Sequence, residues 1–137
     1  MSRAVARWIL ALALGAIGVT HFVSTRGFRV VVPDWATRLT RLDKDAIVIA
    51  SGAAEVALAV GLVALPRERR RIGWATGAFF AAVFPGNVHQ WRTRRSTPGL
   101  DTDARRFGRL FLQPLLVAWA LWATGDEGGH PRRTRRR

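Results

Sequence analysis

Cysteine is absent from the 137-residue chain, which excludes intrachain disulfides, thiolate metal ligands and dithiol exchange. Any redox role needs an electron carrier outside this polypeptide. Acidic residues are scarce, with 9 Asp+Glu against 22 Lys+Arg and a net charge of +13. Such a balance can signal nucleic acid, but no basic, aromatic-interleaved module accompanies the dispersed arginines, so nucleic acid is not an expected partner. There is no internal repeat, no cofactor fingerprint and no close-spaced set of metal ligands. His21, Glu55 and His89 are a conceivable metal set, but His89 lies two residues from Asn87 on a different helix face, so no metal is expected. The most consequential scarcity is of charge within long apolar runs.

Four such runs stand out, at residues 8–23 (extendable back to Ala4), 46–65, 72–91 and 107–124. At about 1.5 Å per helical residue each is long enough to cross a hydrocarbon core. They are apolar on every face rather than striped at the helical period, which argues against a soluble bundle. Mean hydropathy is only +0.07, because the basic residues crowd into termini and connections. The expected fold is all-α: an integral membrane four-helix antiparallel bundle with helices near 4–24, 45–65, 71–91 and 106–124. It forms one domain, 1–124, followed by a disordered basic tail, 125–137, drawn to anionic headgroups. Arg3 and Arg7 before an apolar stretch with Ala11 and Ala13 resemble a signal peptide, but the stretch continues past that pair, so a retained helix is expected.

The connection 24–45 is the longest and is expected to lie along the interface, with a short helix over 35–42 capped by Asp34. The connection 66–71 reads as a tight basic turn and 92–106 as an irregular loop around Ser96, Thr97, Pro98 and Gly99. Trp8, Trp74, Trp119 and Trp122 fall near one boundary and Trp91 near the other, as in aromatic belts. Ala53, Ala57 and Gly61, and likewise Gly73, Gly77 and Ala81, recur at four-residue spacing and predict close helix contacts. Basic residues divide evenly between the two sides, so charge alone sets no orientation.

Polar residues inside the runs form pairs three or four apart: His21 with Ser24, Ser51 with Glu55, Asn87 with Gln90, Arg109 with Gln113. In an antiparallel bundle all four pairs share one half of the bilayer. His21 would lie about 3 Å inside its boundary, Asn87 about 6, Gln113 about 9 and Glu55 about 14. They predict a one-sided funnel with Glu55 at its base. A lone carboxyl near the middle of a span costs about 2.5 to 3.5 kcal/mol, so it calls for a ligand or for a structural partner such as His21 or Arg109. The other half is an apolar plug, which leaves no polar route for a channel. Pro85 should kink its helix just before Asn87 and free a carbonyl for a neighbouring helix or water.

The His21-Phe22 pair, Phe28 with Val31-Val32-Pro33, Ser51-Gly52-Ala53-Ala54-Glu55 with Gly61-Leu62, Phe84-Pro85-Gly86-Asn87, and Arg109-Leu110-Phe111-Leu112-Gln113 together resemble the small DoxX-like membrane proteins. The resemblance covers roughly residues 8–123. It implies a four-helix bundle in the bacterial plasma membrane with both termini in the cytoplasm and the funnel facing outward. It also implies a link to quinone-coupled or thiol-redox membrane assemblies, although the absence of cysteine argues against a direct thiol role. The polar positions that it implies are His21, Glu55, Asn87 and Gln113. Two classes of function follow. One is a pocket formed by His21, Glu55, Asn87, Gln90, Arg109 and Gln113 for a quinone or other lipid-soluble ligand. The other is a non-catalytic accessory subunit packed against a membrane redox partner or a second copy of itself. An independent enzyme is not expected.

Overall fold

A computed structural model describes residues 1–96 and 101–125. Thr97, Pro98 and Gly99 of the third connection, and the basic tail from residue 126 on, lie outside the described residues. Among the described residues the fold is all-helical: α1 (Arg3–Val23), α2 (Thr25–Phe28), α3 (Asp34–Thr40), α4 (Lys44–Ala64), α5 (Arg69–Arg92) and α6 (Asp103–Thr124), with 3-10 turns at Arg29–Val31 and Pro66–Glu68. The four long helices fall within three residues of the expected bounds, and their starts have physical causes. Ser2, Asp43 and Thr102 each accept a backbone N–H from the first turn of α1, α4 and α6, at 3.3, 2.7 and 3.3 Å. Such caps satisfy donors that a helix start leaves orphaned.

Three helices, α1, α4 and α6, are long and apolar enough to cross a membrane. The expected fourth span, in α5, forms a helix but falls short of them in hydropathy. It opens on Arg69, Arg70 and Arg71, contains Gly73, Gly77, Pro85 and Gly86, and ends in Asn87, His89, Gln90 and Arg92. The outer surface is apolar nonetheless: Leu12, Leu115, Trp74 and Val60 are all more than half exposed. So many exposed large apolar side chains are unusual for a soluble monomer.

Two helix pairs, α1 with α4 and α5 with α6, pack most extensively, and α4 against α5 more sparsely. Gly18 and Gly52 bring α1 and α4 together. A Cβ on Gly52 would lie 2.7 Å from the His21 Cβ and 2.8 Å from the Gly18 carbonyl, and one on Gly18 would lie 2.9 Å from the Gly52 carbonyl. Gly73 does the same for α5 and α6, where a Cβ would fall 1.7 Å from Thr124 Oγ1. Of the expected small-residue positions, Gly61, Gly73 and Gly77 are buried at helix contacts, while Ala53, Ala57 and Ala81 are exposed and Gly52, one residue from Ala53, meets α1 instead. Along α1 and α4, Gly15 faces Ala59 and Gly18 faces Gly52, so the partners run in opposite directions. The beginning of α1 meets the end of α6, where the Arg3 guanidinium sits 5.9 Å from the Trp122 ring centre.

The expected plug is a packed core of Leu10, Leu14, Ala59, Leu62, Phe80 and Ala120. Thr76, fully buried beside it, donates to the Ile72 carbonyl at 2.8 Å and leaves its hydroxyl hydrogen satisfied. The connection between α1 and α4 departs from expectation. It does not merely lie along the interface; α2 and the 3-10 turn pack against α4 and α5, and Val32 and Pro33 are buried. Asp34 is the first residue of α3, not its cap, and its carboxylate pairs with Lys44 at 2.7 Å. Arg41, at φ 58°, ends the helix in the left-handed conformation.

Candidate functional site

Close approach at Gly18 and Gly52 sets His21 of α1 opposite Glu55 of α4. At this end, away from the plug, lies a cavity of about 210 Å³ to which His21, Ser51, Glu55, Asn87 and Arg109 contribute their polar groups. Glu55 is 7 % exposed. Its Oε2 lies 3.2 Å from His21 Nδ1, yet it has no hydrogen-bond partner. The same Nδ1 lies 2.9 Å from the Ile17 carbonyl, which can only accept. Nδ1–H is therefore directed to the backbone. The imidazole stacks on Phe28 with ring centres 4.0 Å apart and planes inclined by 20°. A buried carboxyl oxygen without a donor costs about 1 to 3 kcal/mol, and more if charged. That oxygen is the outstanding feature of the site.

Arg109 is half-buried and lines the same cavity. It is close enough to Glu55 for their charges to interact. Its Nη1 donates to Gln90 Oε1 at 3.4 Å, and Gln90 Nε2 donates to the Arg95 carbonyl at 3.2 Å. Gln90 is therefore a tether behind Arg109, not a wall of the cavity. Gln113 is buried elsewhere and donates from α6 to the Phe80 carbonyl of α5 at 3.2 Å. The carbonyl expected to be freed by Pro85 is that of Ala81, four residues before it; the neighbouring helix reaches the carbonyl one position earlier. Three of the four expected polar pairs are thus divided, with Ser24, Gln90 and Gln113 outside the cavity, while Ser51 and Glu55 both line it. Among the described residues, no three His, Asp or Glu side chains gather as metal ligands.

The sequence reading missed the roof. Phe28, Val31, Val32, Pro33, Trp35 and Ala36 line the cavity together with His21 and Glu55, so the funnel is partly covered. Gly86 makes this possible, because a Cβ there would lie 3.1 Å from the Val31 carbonyl. Phe28 and the Val-Val-Pro run were visible as apolar residues in a basic connection. Their spacing, too short for a helix stripe, carried no signal that they turn inward.

Among the described residues, an all-helical fold with a partly polar cavity at one end is the class of protein defined by these observations. Residues 10–124 match the family described as a domain of unknown function, DUF8561, and the chain belongs to that family. No curated protein and no solved structure matches it.

Proposed function

We propose that the chain is an integral membrane protein, a four-helix antiparallel bundle crossing a bacterial plasma membrane with both termini in the cytoplasm. We further propose that its cavity binds a quinone or another lipid-soluble ligand within a membrane redox system. In this reading α5 crosses as the fourth helix. At its polar end Gln90 is buried and meets Arg109 of α6. The DoxX-like resemblance of the sequence points the same way. One observation carries the reading: Glu55 Oε2 is buried at the cavity without a donor, and the nearby His21 gives its Nδ1–H to Ile17. A structural ion pair would satisfy that oxygen; this one does not.

The residues suit a ring that bears oxygen at both ends. Arg109 and Asn87 offer donors to a carbonyl, Glu55 accepts from a hydroxyl, and the stacked His21 and Phe28 provide a flat wall. A bound quinone would supply paired electron and proton uptake; the chain supplies orientation and hydrogen bonds. Purification in mild detergent, followed by mass spectrometry of extracted small molecules and of companion proteins, tests the reading. A near-stoichiometric aromatic or isoprenoid compound is expected. Protein bound to no such compound, but with a stoichiometric membrane subunit, would replace this reading by that of an accessory subunit.

A further inference from the structure

Helices α4 and α5 touch near their connecting turn, where Gly61 packs on Ile72, and α4 packs on α5 more sparsely than on α1. Farther along, the cavity lies between them, with Ile47 and Ser51 on one side and Ala82 and Val83 on the other. The space is filled by the strap formed by residues 28–36, whose Val31 carbonyl rests on Gly86. Two ion pairs hold the strap to the start of α4: Arg29 to Asp45, a paired contact through Nε and Nη2, and Asp34 to Lys44 at 2.7 Å. Trp35 both lines the cavity and is 49 % exposed, and Leu39, on the same face of α3, is 76 % exposed. Ala82 is exposed as well. The mouth is thus edged by apolar groups, and the charges that close it are on the strap's flanks.

Taking the ligand-binding reading as given, we propose that the cavity is reached sideways, through a portal between α4 and α5 beneath α3, and that the ligand is a tailed amphiphile dissolved in the bilayer. Its polar head meets Glu55 and its hydrocarbon tail leaves past Val83 and Trp35. A hydroxyl or other donor on the head gives Glu55 Oε2 the hydrogen bond that it lacks. A tail in lipid explains why a cavity with ionisable groups at its base has an apolar rim. Passage needs the strap to lift, which means parting two exposed ion pairs and sliding Val31 off Gly86. Exposed ion pairs are weak, so local opening is accessible without unfolding the bundle.

Carbodiimides test the route because they add to a protonated carboxyl across one C=N bond. The proton passes to nitrogen, and an acyl shift gives a stable N-acylurea with no leaving group and no oxidant. Protein in phosphatidylcholine–phosphatidylglycerol vesicles would be treated with dicyclohexylcarbodiimide, which partitions into bilayers, or with a cationic, water-soluble carbodiimide. Peptide mass spectrometry would read labelling of Glu55, with Glu55→Gln as the unreactive control. The portal predicts labelling by the bilayer reagent and little by the aqueous one. It also predicts acceleration of about two- to fivefold in Asp45→Asn and in Arg29→Gln and slowing in Ala82→Trp, with Val83→Phe as a second block should that variant misfold. Equal labelling by the aqueous reagent, no labelling by either reagent even with the latch removed, or indifference to both blocking variants would overturn the proposal. Failure of the ligand-binding reading would appear separately, in the co-purified molecules, and leaves the labelling rates as they are.

Discussion

Glu55 is the residue on which the account turns, and its environment makes a prediction about stability. A carboxyl that supports the bundle through a partner is destabilising to remove; one whose Oε2 has no donor is not. Replacement of a buried polar group by an apolar one of similar shape is often neutral or stabilising. In ligand-free detergent, Glu55→Leu should therefore be no more than about 1 kcal/mol less stable than the wild type. His21→Ala should cost more, because it removes both the hydrogen bond to the Ile17 carbonyl and the stack on Phe28. Thermal melts of the two variants side by side check this. A large loss in Glu55→Leu would mean that the carboxyl has a structural partner after all.

Individual elements divide into those whose contacts are forced by small residues and those held by exposed charges. Gly52→Val would drive atoms into the His21 Cβ and the Gly18 carbonyl, backbone and near-backbone groups that cannot swing away, and should cost about 1 to 3 kcal/mol. Gly108→Ala, in α6 with nothing within 4 Å of its added Cβ, should instead raise stability by about 0.5 to 1 kcal/mol. Chemical or thermal unfolding of both separates packing from propensity. The strap responds to pH. The hydrogen bond from Lys44, and then its charge, holds the Asp34 carboxyl below its ordinary value. A depressed value stabilises above the ordinary carboxylate range and is lost as pH falls through the folded-state value. Protection from hydrogen exchange over residues 29–40, taken relative to the intrinsic rate at each pH, should thus fall below about pH 4 and in high salt, while α1 and α4 stay protected.

At the scale of the whole molecule, much was legible in the sequence because long apolar helices announce themselves by length and lack of charge. The bounds of α1, α4, α5 and α6 followed from the runs themselves, and a lone Glu55 in one of them directed attention to His21, Asn87 and Arg109. Periodicity places residues on a face to within a quarter turn or so, which is too coarse to separate Asn87 in the cavity from Gln90 behind it. It also missed that Gly52, not Ala53, meets α1, since small residues adjacent in sequence look alike until a neighbour chooses one. The strap was illegible because nothing periodic marks a segment folded back over a cavity.

The missing cysteine is useful for testing the bundle's orientation, since single cysteines introduced at Ser2, Arg26, Arg67 and Arg92 have no thiol background. In intact cells an impermeant maleimide should label Arg26→Cys and Arg92→Cys and spare Ser2→Cys and Arg67→Cys; labelling of all four, or of Ser2 and Arg92 together, would contradict a four-span bundle with both ends inside. The central claim, that Glu55 holds a lipid-soluble ligand, is met most directly by native mass spectrometry of wild type and Glu55→Gln released from the same detergent. The account predicts a discrete bound mass on the wild type that is largely lost from the variant, with both proteins melting at similar temperatures. An identical bound mass on both, or no bound mass on either while Glu55→Gln unfolds, would contradict it.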